Sequence, residues 1–372
     1  MINPFQQTII GIIGGGQLGK MMAQSAKKQG YRVIVLDPQI DCPASQVCDQ
    51  HIVAQYNDKI ALKQLSDLCT VVTYEFENVD CQTIKEAIDE QKFPQGTKVL
   101  EISQNRLFEK EFLTRCHINI APYQAVLSPQ DLDKAIEKVG YPCVLKTTRF
   151  GYDGKGQIVL KGIEQLHSAR ELAQQSECVL EGWVNFEKEI SLMISRNING
   201  ECSVFPVSEN HHRHNILHTS CVPARLNEGV AARAKQYAEV IANELQLVGT
   251  LGIEFFVGID DKLYVNELAP RPHNSGHYSI EACNFSQFDV SIQAILNLPM
   301  PNITLHSPVV MINVLGQHIE NVYRLKAQKA NWHFHDYGKL ESKENRKMGH
   351  ITILTKHIDD TLLAINNTHI WD

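Results

Sequence analysis

The segment Thr250–Ile280 reads TLGIEFFVGIDDKLYVNELAPRPHNSGHYSI. Two runs rich in β-branched and aromatic residues, Gly252–Val257 and Leu263–Leu268, flank a short polar turn, and this pattern predicts a β-hairpin. Symmetric pairing about the turn places Glu254 directly opposite Glu267. Facing carboxylates in apolar strands repel each other, and a magnesium ion between them would remove that cost. A register slipped by one residue, with one glutamate facing solvent, is equally compatible with the hairpin alone.

The residues around this hairpin favour the metal interpretation. Asn266 supplies a third oxygen ligand beside the two carboxylates. The chain then leaves the second strand through two prolines and presents Arg271, His273, Asn274 and His277 on a stiff loop. Because cations and hydrogen-bond donors suit an anionic substrate, we expect a magnesium-dependent site that binds an anion.

The composition is that of an ordinary globular protein of two or three domains. The chain has 372 residues, of which 43% are hydrophobic and 21% charged, and its net charge is −7. We find no basic cluster, signal peptide or bilayer-spanning apolar run, so we expect neither a nucleic-acid nor a membrane partner. The ten cysteines are scattered without a CxxC pair, which predicts reduced residues in a cytoplasmic protein.

The N-terminal region begins with a strand, a glycine turn, a helix and a second strand. The predicted strands are Thr8–Ile13 and Tyr31–Leu36, the turn is GGGQLG at 14–19, and the helix covers Lys20–Gln29. With Asp37 after the second strand, the pattern satisfies the dinucleotide-binding fingerprint, which taken alone predicts an NAD-dependent enzyme.

Only half of a dinucleotide fold fits before the chain composition changes. The further predicted strands are His51–Ala54, Val71–Glu75 and Lys98–Ile102, whereas a complete dinucleotide fold needs six strands. We therefore expect the glycine turn to hold part of a smaller ligand. Glu75 lies at the strand edge where ligands bind and could accept hydrogen bonds from a ribose, whereas we expect Glu77 to cap the following helix.

A second unit begins near residue 103. Ser103 is the expected N-cap of a helix over Gln104–Cys116, in which Arg106 and Lys110 lie four residues apart. A solvated charged face is the default interpretation of that pair.

A glycine-rich loop joins two predicted strands further along. The first strand ends at Lys146, the loop is GYDGKG at 151–156 and contains Lys155, and the second strand is Gln157–Leu160. This loop is not a P-loop, because it lacks the GxxxxGK[ST] pattern and joins strand to strand. It could close over phosphates as a flap, with Lys146 reaching them from the strand. The alternative is a hairpin whose glycines only serve its turn.

Two later stretches offer nucleotide contacts. Residues 181–184 (EGWV) link two predicted strands and could present backbone groups to an adenine, while Glu189 could accept from ribose hydroxyls. His212 has no partners at zinc-finger spacing. We interpret it as a loop histidine near the nucleotide, with His211 and His214 on the surface.

The C-terminal part, about 301–372, contains three predicted strands and a basic cluster. Lys339, Arg346 and Lys347 surround its last turn. Such clusters are commonly solvated, and the functional interpretation is a site for a substrate 5′-phosphate.

Taken in order, these features resemble the ATP-grasp enzymes, which bind Mg-ATP between two lobes and join a carboxylate to an amine through an acyl-phosphate. The likeness is closer still to the N5-carboxyaminoimidazole ribonucleotide synthetase family of purine biosynthesis. It rests on GGGQLG at 14–19, YEFEN at 74–78, GYDGKGQ at 151–157 and RPHNSGHYSIEAC at 271–283.

The resemblance implies a mixed α/β and α+β ATP-grasp fold in a homodimer. Its parts would be an N-terminal Rossmann-like domain (1–102), an ATP-grasp domain (103–300) and a small C-terminal β-rich domain (301–372). ATP would contact Arg106, Lys146, Gly151, Tyr152, Asp153, Gly154, Lys155, Gly156, Gln157, Glu181, Gly182, Trp183, Val184, Glu189, His212, Asn266 and Glu267. Magnesium would bind Glu254 and Glu267, and the ribonucleotide would contact Gln17, Leu18, Glu75, Asn274, Lys339, Arg346 and Lys347. The catalytic residues would be Lys146, Arg271, His273 and Asn274.

The implied reaction is carboxylation of aminoimidazole ribonucleotide with ATP and bicarbonate, through carboxyphosphate. A formate-dependent ligase that formylates glycinamide ribonucleotide is disfavoured by the HNSGH run at 273–277. An NAD-dependent oxidoreductase rests on the fingerprint alone. A non-catalytic nucleotide sensor should have lost a magnesium ligand or the flap lysine, and both are present.

Overall fold

The computed structural model describes residues 7–149, 151 and 156–372. The N-terminal strands are β1 (Ile9–Ile13), β2 (Arg32–Leu36), β3 (Gln50–Ile52) and β4 (Val71–Tyr74), and the helices are α1 (Gln17–Lys28), α2 (Lys59–Leu68) and α3 (Cys81–Ala87). The strands form a parallel sheet in the order β3-β2-β1-β4. Helices cover this sheet, and its strands β1 and β4 are almost entirely buried, as is typical of parallel strands covered on both faces.

The fifth strand predicted for this sheet is wrong. Lys98–Ser103 is a helix, α4, which buries Val99 and Leu100. A short apolar run of this kind fits a strand and a buried helix equally well by periodicity. Ser103 ends this helix and caps nothing. The next helix, α5 (Arg106–Arg115), is capped by Asn105, whose side chain accepts a hydrogen bond from the Leu107 amide at 2.9 Å.

A second, antiparallel sheet forms the smaller lobe of the middle region. Its strands are β5 (Tyr123–Val126), β6 (Cys143–Thr147), β7 (Gln157–Leu160) and β8 (Cys178–Gly182), in the order β5-β8-β6-β7. Helices α6 (Asp131–Val139) and α7 (Leu166–Gln175) pack on this sheet. The predicted antiparallel pair around the glycine loop is therefore confirmed.

The remaining strands form a nine-stranded sheet. Its first strands are β9 (Phe186–Arg196), β10 (Cys202–Val204), β11 (Ser208–Arg213), β12 (Ile216–Val222), β13 (Gly249–Gly258) and β14 (Leu263–Ala269), and its last are β15 (Val309–Leu315), β16 (His333–Asp336) and β17 (Lys347–Leu354). The order is β14-β13-β9-β11-β12-β15-β17-β16, with β10 paired to β9. Because β12 pairs with β15, one sheet connects the second lobe to the C-terminal strands.

Helices bury the faces of this sheet and join it to the N-terminal unit. Helix α8 (Glu228–Leu245) packs on β9 and β13. After α9 (Ser279–Ala282), helix α10 (Gln287–Ile295) contributes Phe288, Ile292 and Ile295 to a core shared with α1. Helices α11 (Ile319–Lys326) and α12 (Ile358–Asn366) cover the C-terminal strands.

None of the helices in the described part of the chain is both long and apolar enough to cross a membrane.

Candidate active site

Strands β13 and β14 pair as the sequence predicted. Glu254 lies directly opposite Glu267, and the register shifts only after Glu254. Both carboxylates line a cleft of about 590 Å³ between the two lobes and the N-terminal unit. Burial and the charge of Glu267 raise the pKa of Glu254 to about 7. His273 lies beside this pair, with its Nε2 3.3 Å from Glu254 Oε1.

Helix α5 reaches into the cleft from the opposite side. Arg106 Nη1 lies 3.5 Å from Glu267 Oε2. One turn later Glu109, which is buried, accepts a hydrogen bond from the Leu268 amide at 3.0 Å. Burial raises the pKa of Glu109 to about 8. Glu109 thereby fixes β14 to the helix, and sequence reasoning missed it although it follows Arg106 by three residues.

Lys110 corrects the expectation of a solvated helix face. Its side chain is only 2% exposed, and its Nζ lies 3.2 Å from Glu181 Oε2. Lys146 Nζ lies 3.1 Å from the same oxygen. Burial opposes ionisation of Glu181, but Lys146, Lys110 and Arg106 outweigh it and hold the pKa of Glu181 at about 2. The two lysine ammonium nitrogens therefore lie against the same carboxylate oxygen of Glu181, and Lys146 also lines the cleft.

Part of the glycine loop between β6 and β7 is described, namely Gly151 and Gly156. Gly151, Gln157 and Lys146 line the cleft. Gly156 has φ of +71°, and a Cβ there would lie 2.7 Å from Thr147 Oγ1, so this position requires glycine. Four residues assigned to ATP, Tyr152, Asp153, Gly154 and Lys155, lie outside the described residues.

The stretch 181–184 is only partly a linker. Glu181 and Gly182 end β8, and Trp183 and Val184 follow before β9. The Trp183 amide donates to the Pro142 carbonyl at 3.1 Å, so the backbone donor at 183 is already used.

Glu189 and His212 form an ion pair between neighbouring strands β9 and β11. His212 therefore lies in a strand and not in the expected loop. Burial lowers the pKa of His212, but the hydrogen bond and charge of Glu189 raise it above its usual value overall. Both side chains line the cleft, whereas His211 and His214 are exposed, as expected.

The glycine turn is filled by the protein's own carboxylates. Glu75 accepts hydrogen bonds from the Gly16 amide at 2.5 Å and the Gly19 amide at 2.6 Å. Asp37 accepts from the Gly15 amide at 2.7 Å. The amides that would bind a dinucleotide pyrophosphate are thus already hydrogen-bonded within the protein. Asp37, the acidic residue of the fingerprint, accepts one of these hydrogen bonds and so stabilises the turn itself. Each Glu75 oxygen accepts one of these hydrogen bonds and can accept another, and Glu75 also lines the cleft, so its contact with a ribose stays a prediction.

The expectation for Glu77 is also wrong. Asp80, not Glu77, caps α3, because its side chain accepts from the Gln82 amide. Glu77 instead pairs with Arg271 through two hydrogen bonds, one of them 2.8 Å between Arg271 Nη2 and Glu77 Oε1. The pair is partly buried and joins the N-terminal unit to the loop after β14.

The loop after β14 turns only part of its predicted side chains toward the cleft. Arg271, His273 and Asn274 line the cleft. Asn274 exchanges side-chain hydrogen bonds of 3.0 and 2.6 Å with Asn313. His277, expected to face an anionic substrate, is instead fully buried, with its Nδ1 2.9 Å from Gln287 Nε2.

Of the three residues of the basic cluster, Lys347 alone is among those that line the cleft in the described part of the chain. Lys347 lines the cleft with Gln17 and Leu18 at the start of α1. Lys339 Nζ donates to the Lys347 carbonyl at 2.6 Å, and Arg346 Nη1 donates to the Glu341 carbonyl at 2.9 Å. Burial and the nearby Arg346 charge lower the pKa of Lys339 to about 8. The three residues therefore adjoin one another, as predicted.

Comparison with known proteins assigns the chain to a family. It is 47% identical to the N5-carboxyaminoimidazole ribonucleotide synthase of Staphylococcus aureus (strain COL) over 353 residues, 95% of this chain and 94% of that protein. The chain belongs to the N5-carboxyaminoimidazole ribonucleotide synthase family. A second member of the family, from Staphylococcus epidermidis, is also 47% identical over the same shares of the two chains.

Solved structures and family models agree with the synthase fold. The S. aureus N5-carboxyaminoimidazole synthetase complexed with ADP has a TM-score of 0.94 at 45% identity, covering 98% of this chain and 97% of that one. The Aspergillus clavatus synthase, in complex with ADP and 5-aminoimidazole ribonucleotide, has a TM-score of 0.90 at 29% identity, covering 98% of each chain. Three family models match: the ribonucleotide synthetase preATP-grasp domain at 7–104, the ATP-grasp domain at 111–288 and the phosphoribosylaminoimidazole carboxylase C-terminal domain at 309–363.

Proposed function

We propose that the protein is an ATP-dependent carbon–nitrogen ligase that carboxylates 5-aminoimidazole ribonucleotide to N5-carboxyaminoimidazole ribonucleotide in purine biosynthesis. The observation that carries the proposal is one cleft in which Glu254 faces Glu267 and in which Lys146, Arg271 and Lys347 also lie. Such a cleft has cations for two phosphorylated ligands and paired carboxylates for a metal ion. A synthase of this family holds ADP and 5-aminoimidazole ribonucleotide together.

Glu254 and Glu267 are suited to hold magnesium beside ATP. The two carboxylates face each other across a hairpin, and burial together with the Glu267 charge raises the pKa of Glu254. No group of three or more His, Cys, Asp or Glu side chains with metal-site geometry occurs within residues 7–149, 151 and 156–372. The remaining ligands would be Asn266, water and the ATP phosphates, which is how proteins usually bind Mg²⁺. Bound there, the metal would neutralise charge on the phosphates.

The reaction needs two substitutions, at phosphorus and then at carbon. A bicarbonate oxygen attacks the γ-phosphorus, the bond to ADP breaks, and carboxyphosphate forms. Lys146 stabilises the phosphate charge, and Arg271, oriented by Glu77, holds the carboxyphosphate anion. The ribonucleotide amine then takes the carboxyl group, directly or as released carbon dioxide, with loss of phosphate and of one amine proton.

The other end of the cleft orients the acceptor. Lys339, Arg346 and Lys347 would bind the 5′-phosphate of the ribonucleotide, and Asn274 and His273 would place its amine near the carboxyphosphate. The flap at 151–157 would close over ATP and exclude water from that intermediate.

We further infer that the protein works as a homodimer in the cytoplasm. The ten cysteines are all unpaired, which is typical of proteins from a reducing compartment. Sedimentation velocity would test the dimer against the 42.0 kDa of one chain.

The decisive experiment measures ADP release with Mg-ATP and bicarbonate, with and without 5-aminoimidazole ribonucleotide. We expect strong stimulation by this ribonucleotide. Stimulation by glycinamide ribonucleotide and formate instead would assign the sister ligase, and no ADP under either condition would contradict the proposed function.

A further inference from the structure

The buried side-chain amide of Gln287 hydrogen-bonds to the loop that carries His273 and Asn274. Gln287 is the first residue of α10 and has no solvent exposure. Its Oε1 accepts from the His273 amide at 2.9 Å, and its Nε2 donates to the His273 carbonyl at 2.8 Å. A third hydrogen bond, of 2.9 Å, joins Nε2 to His277 Nδ1. All three of these side-chain hydrogen bonds go to the segment 273–277.

These contacts fix the orientation of the amide and the tautomer of His277. The His273 N–H can only donate and its carbonyl can only accept, so Oε1 and Nε2 of Gln287 cannot exchange places. Because Nε2 is a donor, His277 Nδ1 must accept. His277 is therefore neutral and carries its proton on Nε2.

The clamped loop holds two side chains of the proposed site in opposite directions. The His273 ring lies beside Glu254, and the Asn274 side chain is paired with Asn313 on β15. Gln287 hydrogen-bonds to both main-chain polar groups of His273. It therefore fixes the backbone from which the His273 and Asn274 side chains project. Loss of these hydrogen bonds would free the loop without removing any cleft-lining group.

Through His277, the hydrogen bonds of Gln287 are also connected to the strands that flank the basic cluster. The His277 ring centroid lies 4.8 Å from that of His350 on β17, which stacks on His335 of β16 at 4.3 Å and 7°. His335 Nε2 lies 2.8 Å from Glu281 Oε1 of α9. A partly buried polar cluster thus connects the loop to β16 and β17. Lys339 and Arg346 lie between these two strands in the chain, and Lys347 begins β17.

We propose that Gln287 is a positioning residue for the ribonucleotide half of the site. It holds His273 and Asn274 in register with the basic cluster, and it is connected to the ATP half only through the His273 ring beside Glu254, so we expect a smaller effect there. This inference rests on the proposed function, because it names the half of that same site that Gln287 serves.

The test compares Q287L, Q287E and Q293L in the full-length protein by steady-state ADP release. Leucine removes all three hydrogen bonds, and glutamate keeps the acceptor but loses the fixed donor. Gln293 lies on the same helix, and its side-chain Oε1 is buried without a partner in the described structure, so Q293L is the matched control. We expect Q287L to raise the KM for 5-aminoimidazole ribonucleotide at least tenfold and the KM for ATP less than twofold. Q287E should lie between Q287L and the wild type, and Q293L should match the wild type.

A second variant displaces the amide without changing Gln287. A Cβ at Gly276 would lie 2.5 Å from Gln287 Oε1, so G276A should give the same split between the two KM values. If Q287L does not fold, G276A and Q287E provide the test in its place. Equal increases in both KM values, or unchanged KM values with only a lower thermal midpoint, would overturn the proposal.

A spectroscopic measurement separates this inference from the proposed function. Long-range ¹H–¹⁵N correlation spectra of the wild type should show His277 as the Nε2–H tautomer, and Q287L should lose that preference. An Nδ1–H tautomer in the wild type would contradict the hydrogen bonding inferred for Gln287, and it would do so whichever substrate the enzyme uses. Absence of ribonucleotide-stimulated ADP release from the wild type would instead count against the proposed function alone.

Discussion

At the scale of single residues, burial decides the role of each charge. Lys110 and Arg106 lie on the same helix, but Lys110 is buried against Glu181 and Arg106 faces Glu267 across the cleft. Lys146 shares one oxygen of Glu181 with Lys110. Without Lys110, only Lys146 and Arg106 would offset the Glu181 charge, and less positive charge would remain for a polyphosphate.

We therefore expect K110M to raise the KM for ATP about tenfold, since a change of about 1.4 kcal/mol is tenfold in binding. The fold should also lose about 3 kcal/mol, because a buried ion pair is broken. Steady-state kinetics and urea denaturation measure the two effects. K134M, on the exposed face of α6, is the control and should change neither.

Glu267 tests the magnesium assignment. E267Q keeps the shape of the side chain but removes one metal-binding charge, so ADP release should fall at least a hundredfold and the magnesium concentration for half-maximal activity should rise. The change also relieves the repulsion with Glu254, so the thermal midpoint should not fall. Full turnover by E267Q would show that the metal assignment is wrong.

Lys339 predicts a dependence of ribonucleotide binding on pH. Its pKa is lowered to about 8, first by burial and then by the Arg346 charge. The ammonium group is therefore present below pH 8 and lost above it. If it binds the 5′-phosphate, the KM for the ribonucleotide should rise by up to about tenfold per pH unit above pH 8. K339R stays charged in this range, and an unchanged slope in that variant would exclude Lys339 as the cause.

At the scale of elements, close backbone approach explains the glycine turn better than a cofactor does. Gly16 and Gly19 donate to Glu75, and helix α1 starts directly above that carboxylate. A Cβ at Gly19 would lie 2.5 Å from the Gly14 carbonyl oxygen, and a backbone atom cannot move aside as a side chain can. The turn is therefore restricted to glycine by its own packing.

G19A should lower the free energy of unfolding by about 2 kcal/mol through this overlap. G229A is the matched control, since a Cβ there meets only Asn227 Oδ1 at 3.5 Å. Removing a helical glycine should leave stability unchanged or raise it by up to about 1 kcal/mol. Equal effects of the two variants in urea denaturation would contradict this account.

At the scale of the whole molecule, contacts of several kinds join the units. Glu77 of the N-terminal unit pairs with Arg271, α1 packs on α10, and β12 pairs with β15. The cleft lies where these contacts meet, so its two ends are placed by different units. Its geometry thus depends on how the units are joined.

E77Q should weaken the contact between the N-terminal unit and Arg271. Breaking a fully buried ion pair costs about 3–5 kcal/mol, so loss of this partly buried pair should cost less. Arg271 would also lose its orienting partner. We expect a lower thermal midpoint together with a fall in ADP release of at least tenfold. E86Q removes an exposed carboxylate paired with Lys59 on the surface and should change neither quantity. An E77Q variant with wild-type activity would show that Arg271 needs no orienting partner.

The sequence by itself determined the parts whose signals are local. Two runs rich in β-branched and aromatic residues around a short turn predicted the hairpin, and the strand–loop–strand pattern predicted Lys146 beside the glycine loop. The structure decided for the symmetric register, with Glu254 opposite Glu267, over the slipped one. The motifs at 14–19, 74–78, 151–157 and 271–283 identified the family. Each of these inferences depends on residues close together in the chain, where spacing alone sets geometry.

Only the tertiary structure decided the partners and the burial of charged groups. It placed Lys110 against Glu181, Glu77 against Arg271 and Glu75 under the glycine amides, and it turned His277 away from the cleft toward Gln287. These pairs join residues distant in the chain, and no spacing rule predicts which distant groups meet. It also made Lys98–Ser103 a helix, because tertiary packing decides between helix and strand when a short apolar run allows both.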